Sequence, residues 1–277
     1  VKFPKGKSIE GYLAFRRRKL KDMLLMCAND PHAARSAFYA EFPEDDVRPF
    51  QKLINPLFDT FLLDQQIKLA EQELMVNNWT DKGLTFRAWR KPEPGHSYAG
   101  GLDYSAMKGR DASSLQVKDL STGEYVAEFY GTHGDTIPNI TSLAVKILTA
   151  YNFGLLIPET NNMGRTQGNF AYHDLGYKNV YLRPKKPGEE YAAYWKDVHS
   201  GKVEYGFETT RDTRRDMIVA GQSHLNAGRI RIMNADLGRD MQAWNTEQSR
   251  EDVDGTKKHF PDRLSGFFLI EVVNPQP

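Results

Sequence analysis

At 277 residues the chain can bury a large core, as one big domain or as a main domain with a smaller lobe. A hydrophobic fraction of 40%, with no apolar run near the roughly 18 residues of a spanning helix, excludes a membrane-spanning or mostly disordered chain. The net charge of +1 says nothing for or against nucleic acid, and the lone Cys27 excludes a disulfide scaffold or multi-cysteine metal site, which suits a reducing compartment.

In chain order, Val1-Lys2-Phe3-Pro4-Lys5-Gly6-Lys7 leads into no apolar segment and is not expected to be a signal peptide. Residues 9–27 form a predicted helix with Leu13, Leu20, Leu24 and Cys27 at helical spacing, stopped by Asn29-Asp30-Pro31. Its basic run Arg16, Arg17, Arg18, Lys19 and Lys21 reads as a solvated face. A short helix follows at 32–42, ended by Pro43. A longer one spans 56–76, with Phe58, Phe61, Leu62, Leu69 and Met75 as core residues. Asn77-Asn78 and Asp81-Lys82-Gly83 read as loop and turn, so residues 1–95 are expected to be a helical segment without a sheet. Lys91-Pro92-Glu93-Pro94-Gly95 marks its boundary with a second unit, 96–277, because neither a helix nor a central strand continues through it.

Beyond that boundary strands and helices alternate. Strands are predicted at 98–104, 112–119 and 125–130, the last two joined by the hairpin signal Leu120-Ser121-Thr122-Gly123-Glu124. Residues 138–151 carry Ile140, Leu143, Ala144, Ile147 and Leu148 on one helical stripe, with Pro138 in the first turn. A buried strand at 154–158, a helix at 166–175 broken by Gly176, and a strand at 179–183 come next. A polar insertion, 184–203, carries Tyr191, Tyr194 and Trp195. Further helices are predicted at 211–227, 237–245 and from Pro261 to Val272, with a strand at 229–233 and a charged loop at 248–258. Hairpins give antiparallel neighbours and helical crossovers parallel ones, so the expected fold is an α/β layer with a mixed sheet.

The informative acids sit at element ends. Asp103 follows Ala99-Gly100-Gly101-Leu102, whose small residues permit close backbone approach. Glu159 follows Leu155-Leu156-Ile157-Pro158 at a strand's carboxyl edge, where open α/β sheets place ligands. Asp262 opens the last helix, with Gly266 one turn later on the same face. Three converging carboxylates repel one another unless divalent cations neutralise them, and Mg²⁺ or Mn²⁺ suits such a donor set. Strand ends and helix caps are also ordinary places for acids, and Asp262 alone reads equally well as a cap.

Gly101-Leu102-Asp103-Tyr104-Ser105, Lys108-Gly109-Arg110-Asp111, Ser121-Thr122-Gly123-Glu124-Tyr125-Val126-Ala127-Glu128 and Pro158-Glu159-Thr160-Asn161-Asn162-Met163-Gly164, in that order, resemble the nuclease domain of tailed-bacteriophage large terminase subunits. The likeness runs over about residues 96–272, through Leu175-Gly176-Tyr177-Lys178-Asn179-Val180-Tyr181 and Gly206-Phe207-Glu208-Thr209-Thr210; ahead of it, Ala37-Phe38-Tyr39-Ala40-Glu41-Phe42 resembles the close of the family's ATPase domain. The resemblance implies a ribonuclease H-like fold and a metal-dependent endonuclease that cuts concatemeric viral DNA during packaging. It implies Asp103, Glu159 and Asp262 as catalytic ligands of two Mg²⁺ or Mn²⁺ ions about 3.5–4 Å apart, with Asp111 as an auxiliary ligand. Implied partners are double-stranded DNA and, in the full-length protein, the small terminase subunit and the portal; the implied location is the host cytoplasm and, transiently, the procapsid.

Two departures from the family stand out. The usual His-Asp-Asp before the last helix is His259-Phe260-Pro261-Asp262-Arg263 here, which puts Arg263 in the second acid's place, free to donate to a phosphate or to face solvent. Lys5-Gly6-Lys7-Ser8 lacks the glycine and preceding strand of a Walker A loop, so an ATPase is expected to lie in sequence outside this chain. Lys108, Arg110, Asn161, Asn162, Arg165 and Arg263 are the candidate DNA contacts, with Arg211, Arg214, Arg215, Lys185-Lys186 and Lys257-Lys258 flanking the same cleft. Tyr191, Tyr194 and Trp195 suit base stacking or packing of the insertion, and His173, His199 and His224 read as ordinary histidines. Three rival readings remain: a resolvase-like or recombination nuclease of the same fold, a non-catalytic DNA- or portal-docking domain, and a purely structural domain.

Overall fold

The computed structural model describes residues 9–26, 34, 38, 57–104, 112–132, 136–160, 165–184, 205–244 and 262–276, with the side chains of 9–13, 165, 166 and 211 outside that description. The expected insertion, the charged loop at 248–258 and most of the helix at 32–42 lie outside the described residues. No helix among the described residues is long and apolar enough to cross a membrane.

Helix α1 (Ile9–Met26) packs Leu20, Met23 and Leu24 around Ala34 and Phe38. Helix α2 (Thr60–Ala70) is shorter than its apolar pattern predicts, because Asp59 caps it by accepting from the backbone amides of Phe61 and Leu62 at 2.9 and 3.0 Å. Its buried face is Leu63, Ile67 and Ala70, whereas Leu69 and Met75, expected in the core, are exposed.

The segment read as loop and turn is a hairpin, β1 (Asn77–Asp81) and β2 (Leu84–Ala88). Lys82 and Gly83 both take positive φ at its tip, the geometry that lets a two-residue turn follow the strands' twist. β2 pairs with β5 (Glu124–Gly131), so the sheet begins before the Pro-Gly segment at 91–95, and that segment is a loop between strands of one sheet. Strands β3 (Tyr98–Asp103) and β4 (Ser113–Asp119) continue it antiparallel, and β6 (Leu155–Pro158) joins β3 in parallel. The order is β1-β2-β5-β4-β3-β6, with β7 (Arg231–Ile232) beside β5. The expected strand at 179–183 contributes isolated bridges, Leu156 to Val180 and Leu182 to Tyr205.

The three antiparallel strands followed by a helical crossover to a parallel strand make this a ribonuclease H-like mixed sheet. Helix α3 (Ile137–Ala150) forms the crossover and covers one face, with Ile140, Ala144 and Leu148 against Leu102, Leu115 and Leu156. Helix α4 (Arg165–Asn169), which runs into a π-helical turn (Phe170–Asp174), adds Ala171 to that face. The opposite face carries α5 (Arg211–Asn226), α6 (Ala235–Ala243) and α7 (Asp262–Val273), and α2 packs there with them. Phe58, Trp244, Phe267 and Phe268 form its aromatic centre, with Phe58 and Phe268 stacked at 6.0 Å.

β4 is buried along its whole length because helices cover both faces. Leu115 and Val117 point to the α3 side. The alternate residues Ser114, Gln116 and Lys118 are polar, and each is satisfied: Ser114 by α7 backbone, Gln116 by Glu128, Lys118 by Glu271 at 2.7 Å. Glu271 also meets the Nδ1 of His224 at 2.6 Å and accepts from the Tyr125 hydroxyl, so His224 is spent inside the fold. The hydrogen bonds of His224, the Lys118 ammonium and the Tyr125 hydroxyl outweigh burial and hold the Glu271 carboxyl below its usual range.

Candidate functional site

Strand parity builds the first half of the site. Side chains alternate along β3, so Asp103 shares a face with Ala99 and Gly101, and that face lies under α7. Parity along β6 puts Glu159 on the same face as Ile157. Leu102 lies opposite Pro158 in the parallel register, and the amide of Glu159 donates to the Leu102 carbonyl at 2.9 Å. Asp103 and Glu159 therefore occupy adjacent rungs of neighbouring strands.

Helix α7 brings the third acid. A Cβ on Gly101 would stand 2.0 Å from the Gly266 carbonyl oxygen, and one on Gly266 would stand 2.7 Å from the Gly101 carbonyl oxygen. Only two glycines facing each other allow the helix to lie this close to the strand. Its first turn is then tied to β4 and the residue before it. The Asp262 Oδ2 accepts from the Ala112 amide at 2.7 Å, and the Asp262 carbonyl accepts from the Ser114 hydroxyl at 2.8 Å.

Asp103, Glu159 and Asp262 are all half-buried. The Asp103 carboxyl is pushed well above the usual carboxylate range, first by loss of hydration, then by the charge of Glu159 and a hydrogen bond to it, with Asp262 adding to the effect. The Ser265 hydroxyl, one turn of α7 away, opposes the shift by donating to Asp103. A neighbouring carboxylate favours the protonated form of Asp103, whereas a bound cation would favour the ionised form. Among the described residues, no three His, Cys, Asp or Glu side chains already stand as a ready-made cage for an ion. What converges is a set of oxygen donors whose mutual repulsion a divalent cation would relieve, which is the donor chemistry that Mg²⁺ and Mn²⁺ take.

This predicts an unusual pH dependence for the metal-free protein. The folded state holds the Asp103 proton at pH values where the unfolded chain, with a carboxyl pKa of about 3.9, has released it. Folded protein thus binds more protons, and stability falls as pH rises through the raised titration. Glu271 and Asp236, whose titrations are lowered, act oppositely but only at more acid pH. In EDTA, melting temperatures above about pH 5 are expected to decline more steeply in the parent than in Asp103→Asn, which keeps the raised His96 titration. Parallel pH profiles for the two proteins would contradict the coupling.

Arg263 does not face phosphate or solvent as expected. Its side chain is 9% exposed, with Nε 3.1 Å from Glu128 and an Nη 2.6 Å from Asp240. The guanidinium lies over the Tyr130 ring at 3.9 Å from the centroid. The sequence placed a cation beside Asp262 correctly but could not show that buried Glu128 awaited it. Ser265 and Ser114, which touch two of the three acids, carry no signal beyond helical spacing and strand alternation. Asp111, Lys108, Arg110, Asn161 and Asn162 lie outside the described residues, and of Arg165 only the backbone, at the start of α4, is described.

No protein-family model matches this chain. Among solved structures, the chain is similar to the large terminase nuclease of thermophilic phage G20c with bound magnesium, at 14% identity, 79% coverage of this chain and 97% of that one, and a TM-score of 0.47. It is also similar to the Thermus phage P74-26 large terminase nuclease domain, at 14% identity, 78% and 93% coverage, and a TM-score of 0.46.

Proposed function

We propose that Asp103, Glu159 and Asp262 hold divalent metal, Mg²⁺ or Mn²⁺ and as two ions, and that the site hydrolyses phosphodiester bonds of double-stranded DNA. The observation that carries this reading is the hydrogen-bonded pair of Asp103 on β3 and Glu159 at the end of β6, with Asp262 at the start of α7 near enough for its charge to help raise the Asp103 carboxyl. A bound divalent cation supplies Lewis acidity toward the phosphoryl oxygens. The chain's own residues do the rest. The acids bind the cation and, without it, repel a polyanion, so DNA engages only the loaded site. The Leu102 carbonyl and the Ala112 amide hold Glu159 and Asp262 in place, and the Ser265 hydroxyl orients Asp103. No side-chain nucleophile is required.

Lys108, Arg110, Asn161, Asn162 and Arg165 follow Asp103 and Glu159 closely in sequence, and in this proposal they meet phosphates, with Asp111 as a further ligand. Contacts to the backbone imply little sequence preference and a steep salt dependence. The biological role that fits is cutting concatemeric viral DNA during packaging, with the small terminase subunit and the portal as partners, in the host cytoplasm and at the procapsid.

The test is incubation of supercoiled plasmid and linear duplex with the chain in Mn²⁺, Mg²⁺ or EDTA. Cleavage of both DNAs with metal and none in EDTA is the expected result. Preference for branched DNA over linear duplex would favour a resolvase-like enzyme, and an absence of metal-dependent cleavage would favour a docking domain.

A further inference from the structure

Resting on that proposed cation site, we propose that Arg263 is a positioning residue for Asp262: it is an internal clamp that fixes where the first turn of α7 places its carboxylate. The family resemblance leads one to expect a second acid here. Instead the guanidinium turns away from the carboxylate cleft into the seam between β5 and α6. Its Nε takes Glu128 at 3.1 Å and an Nη takes Asp240 at 2.6 Å, while its plane lies 3.9 Å above the Tyr130 ring. Glu128 is itself 1% exposed and held by Gln116 at 3.0 Å, so the anchor on the sheet side is rigid.

The same two rungs of the β4–β5 ladder fix both neighbours on α7. Ser114 pairs in register with Tyr130, and Gln116 with Glu128. Ser114 grips the Asp262 carbonyl at 2.8 Å, whereas Tyr130 and Glu128 grip the Arg263 side chain. Backbone and side chain of consecutive residues are thus tied to one patch of sheet. The buried side chains from Leu264 to Glu271 seat the body of the helix, and with no side chain at Gly266 these polar ties fix how its first turn lies on the sheet. Rotation of this turn would swing Asp262 away from Asp103. Arg suits the task better than Lys because a planar fork satisfies two carboxylates and a ring face together.

Charge and geometry make opposite demands, which gives a clean test. Arg263→Lys keeps the positive charge but loses the fork and the stacking. Glu128→Gln keeps shape at the other end of the clamp. Mn²⁺ affinity is read by isothermal titration, without DNA, at a temperature well below melting. Both variants are expected to bind Mn²⁺ about ten- to a hundredfold more weakly than the parent, the usual cost of losing a group that orients a ligand. Glu271→Gln, which disturbs a buried ion cluster elsewhere on α7, is expected to leave affinity unchanged. Parental Mn²⁺ affinity in both clamp variants would overturn the clamp and leave the metal site standing. An equal loss in Glu271→Gln would overturn it too, by assigning the effect to general loosening of α7. Failure of the parent to bind Mn²⁺ would overturn the cation site together with the clamp.

Discussion

Asp103→Asn is expected to abolish metal-dependent cleavage while yielding a protein that, in EDTA at neutral pH, melts above the parent. The two effects share one cause. Burial and the Glu159 charge already penalise an ionised Asp103, so an amide of the same shape removes a repulsion and keeps hydrogen-bonding capacity toward Glu159 and Ser265. On the proposed reading the balance inverts with metal, because the variant lacks one charged ligand. Several kcal/mol of transition-state stabilisation disappear with it, equivalent to a rate loss of about a thousandfold or more. Differential scanning in EDTA and in Mn²⁺, beside the plasmid assay, checks both halves. A variant that retained cleavage would remove Asp103 from the site. One that melted far below the parent in EDTA would show that the carboxylate serves the fold.

Gly101→Ala is expected to be among the most damaging single-methyl changes in the sheet, and one that acts directly on the seat of α7. The new Cβ would lie 2.0 Å from the Gly266 carbonyl oxygen and 2.8 Å from its carbon, both backbone atoms that no rotamer change can move. Either α7 shifts off β3 or β3 bends. Overpacking of this kind costs about 1–3 kcal/mol, and the rigid obstacle puts this site at the upper end or beyond. Gly266→Ala faces a longer 2.7 Å approach to the Gly101 oxygen and gains about 1 kcal/mol of helix propensity, so it should be the milder of the two. Gly266→Leu adds bulk toward Gln116 and Ser114, each 3.2 Å from the Cβ position, and should lower stability and cleavage together. Melting curves and cleavage rates of the three variants decide it. Stabilisation by both substitutions at Gly266, with cleavage intact, would show that α7 does not rest on β3 as described.

These two glycines also show how far the sequence could be read. Gly266 one turn after Asp262, and a Gly-Gly pair before Asp103, announce two elements built for close approach, and the spacing alone puts Asp262 and Gly266 on one face. That Gly101 is the residue facing Gly266 follows from strand register, which the sequence does not carry. Hairpin β1–β2 was missed for a related reason. Asn77, Asn78, Thr80 and Asp81 are exposed on an edge strand, so no alternation of apolar and polar residues marks β1. It exists through pairing with β2, where Leu84, Phe86 and Ala88 do alternate into the core. Likewise the apolar stripe through residues 56–76 suggests one long helix, whereas Asp59 starts it late and Leu69 and Met75 are exposed among the described residues.

By itself the sequence determined most of the local pieces described beyond residue 96, though 179–183 gives isolated bridges and no strand, together with the hairpin at Gly123 and acids at three element ends. Hydrophobic periodicity, capping and turn chemistry act over a few residues, so they leave their mark in the order of residues. Only the tertiary structure decided that Asp103 and Glu159 stand side by side within hydrogen-bond reach, and that Arg263 turns inward. Such outcomes depend on parity, register and helix rotation summed across the fold. The partner that neutralises Arg263, Glu128, stands more than a hundred residues earlier in the chain, and a buried charge takes whatever opposite charge the packing brings within reach.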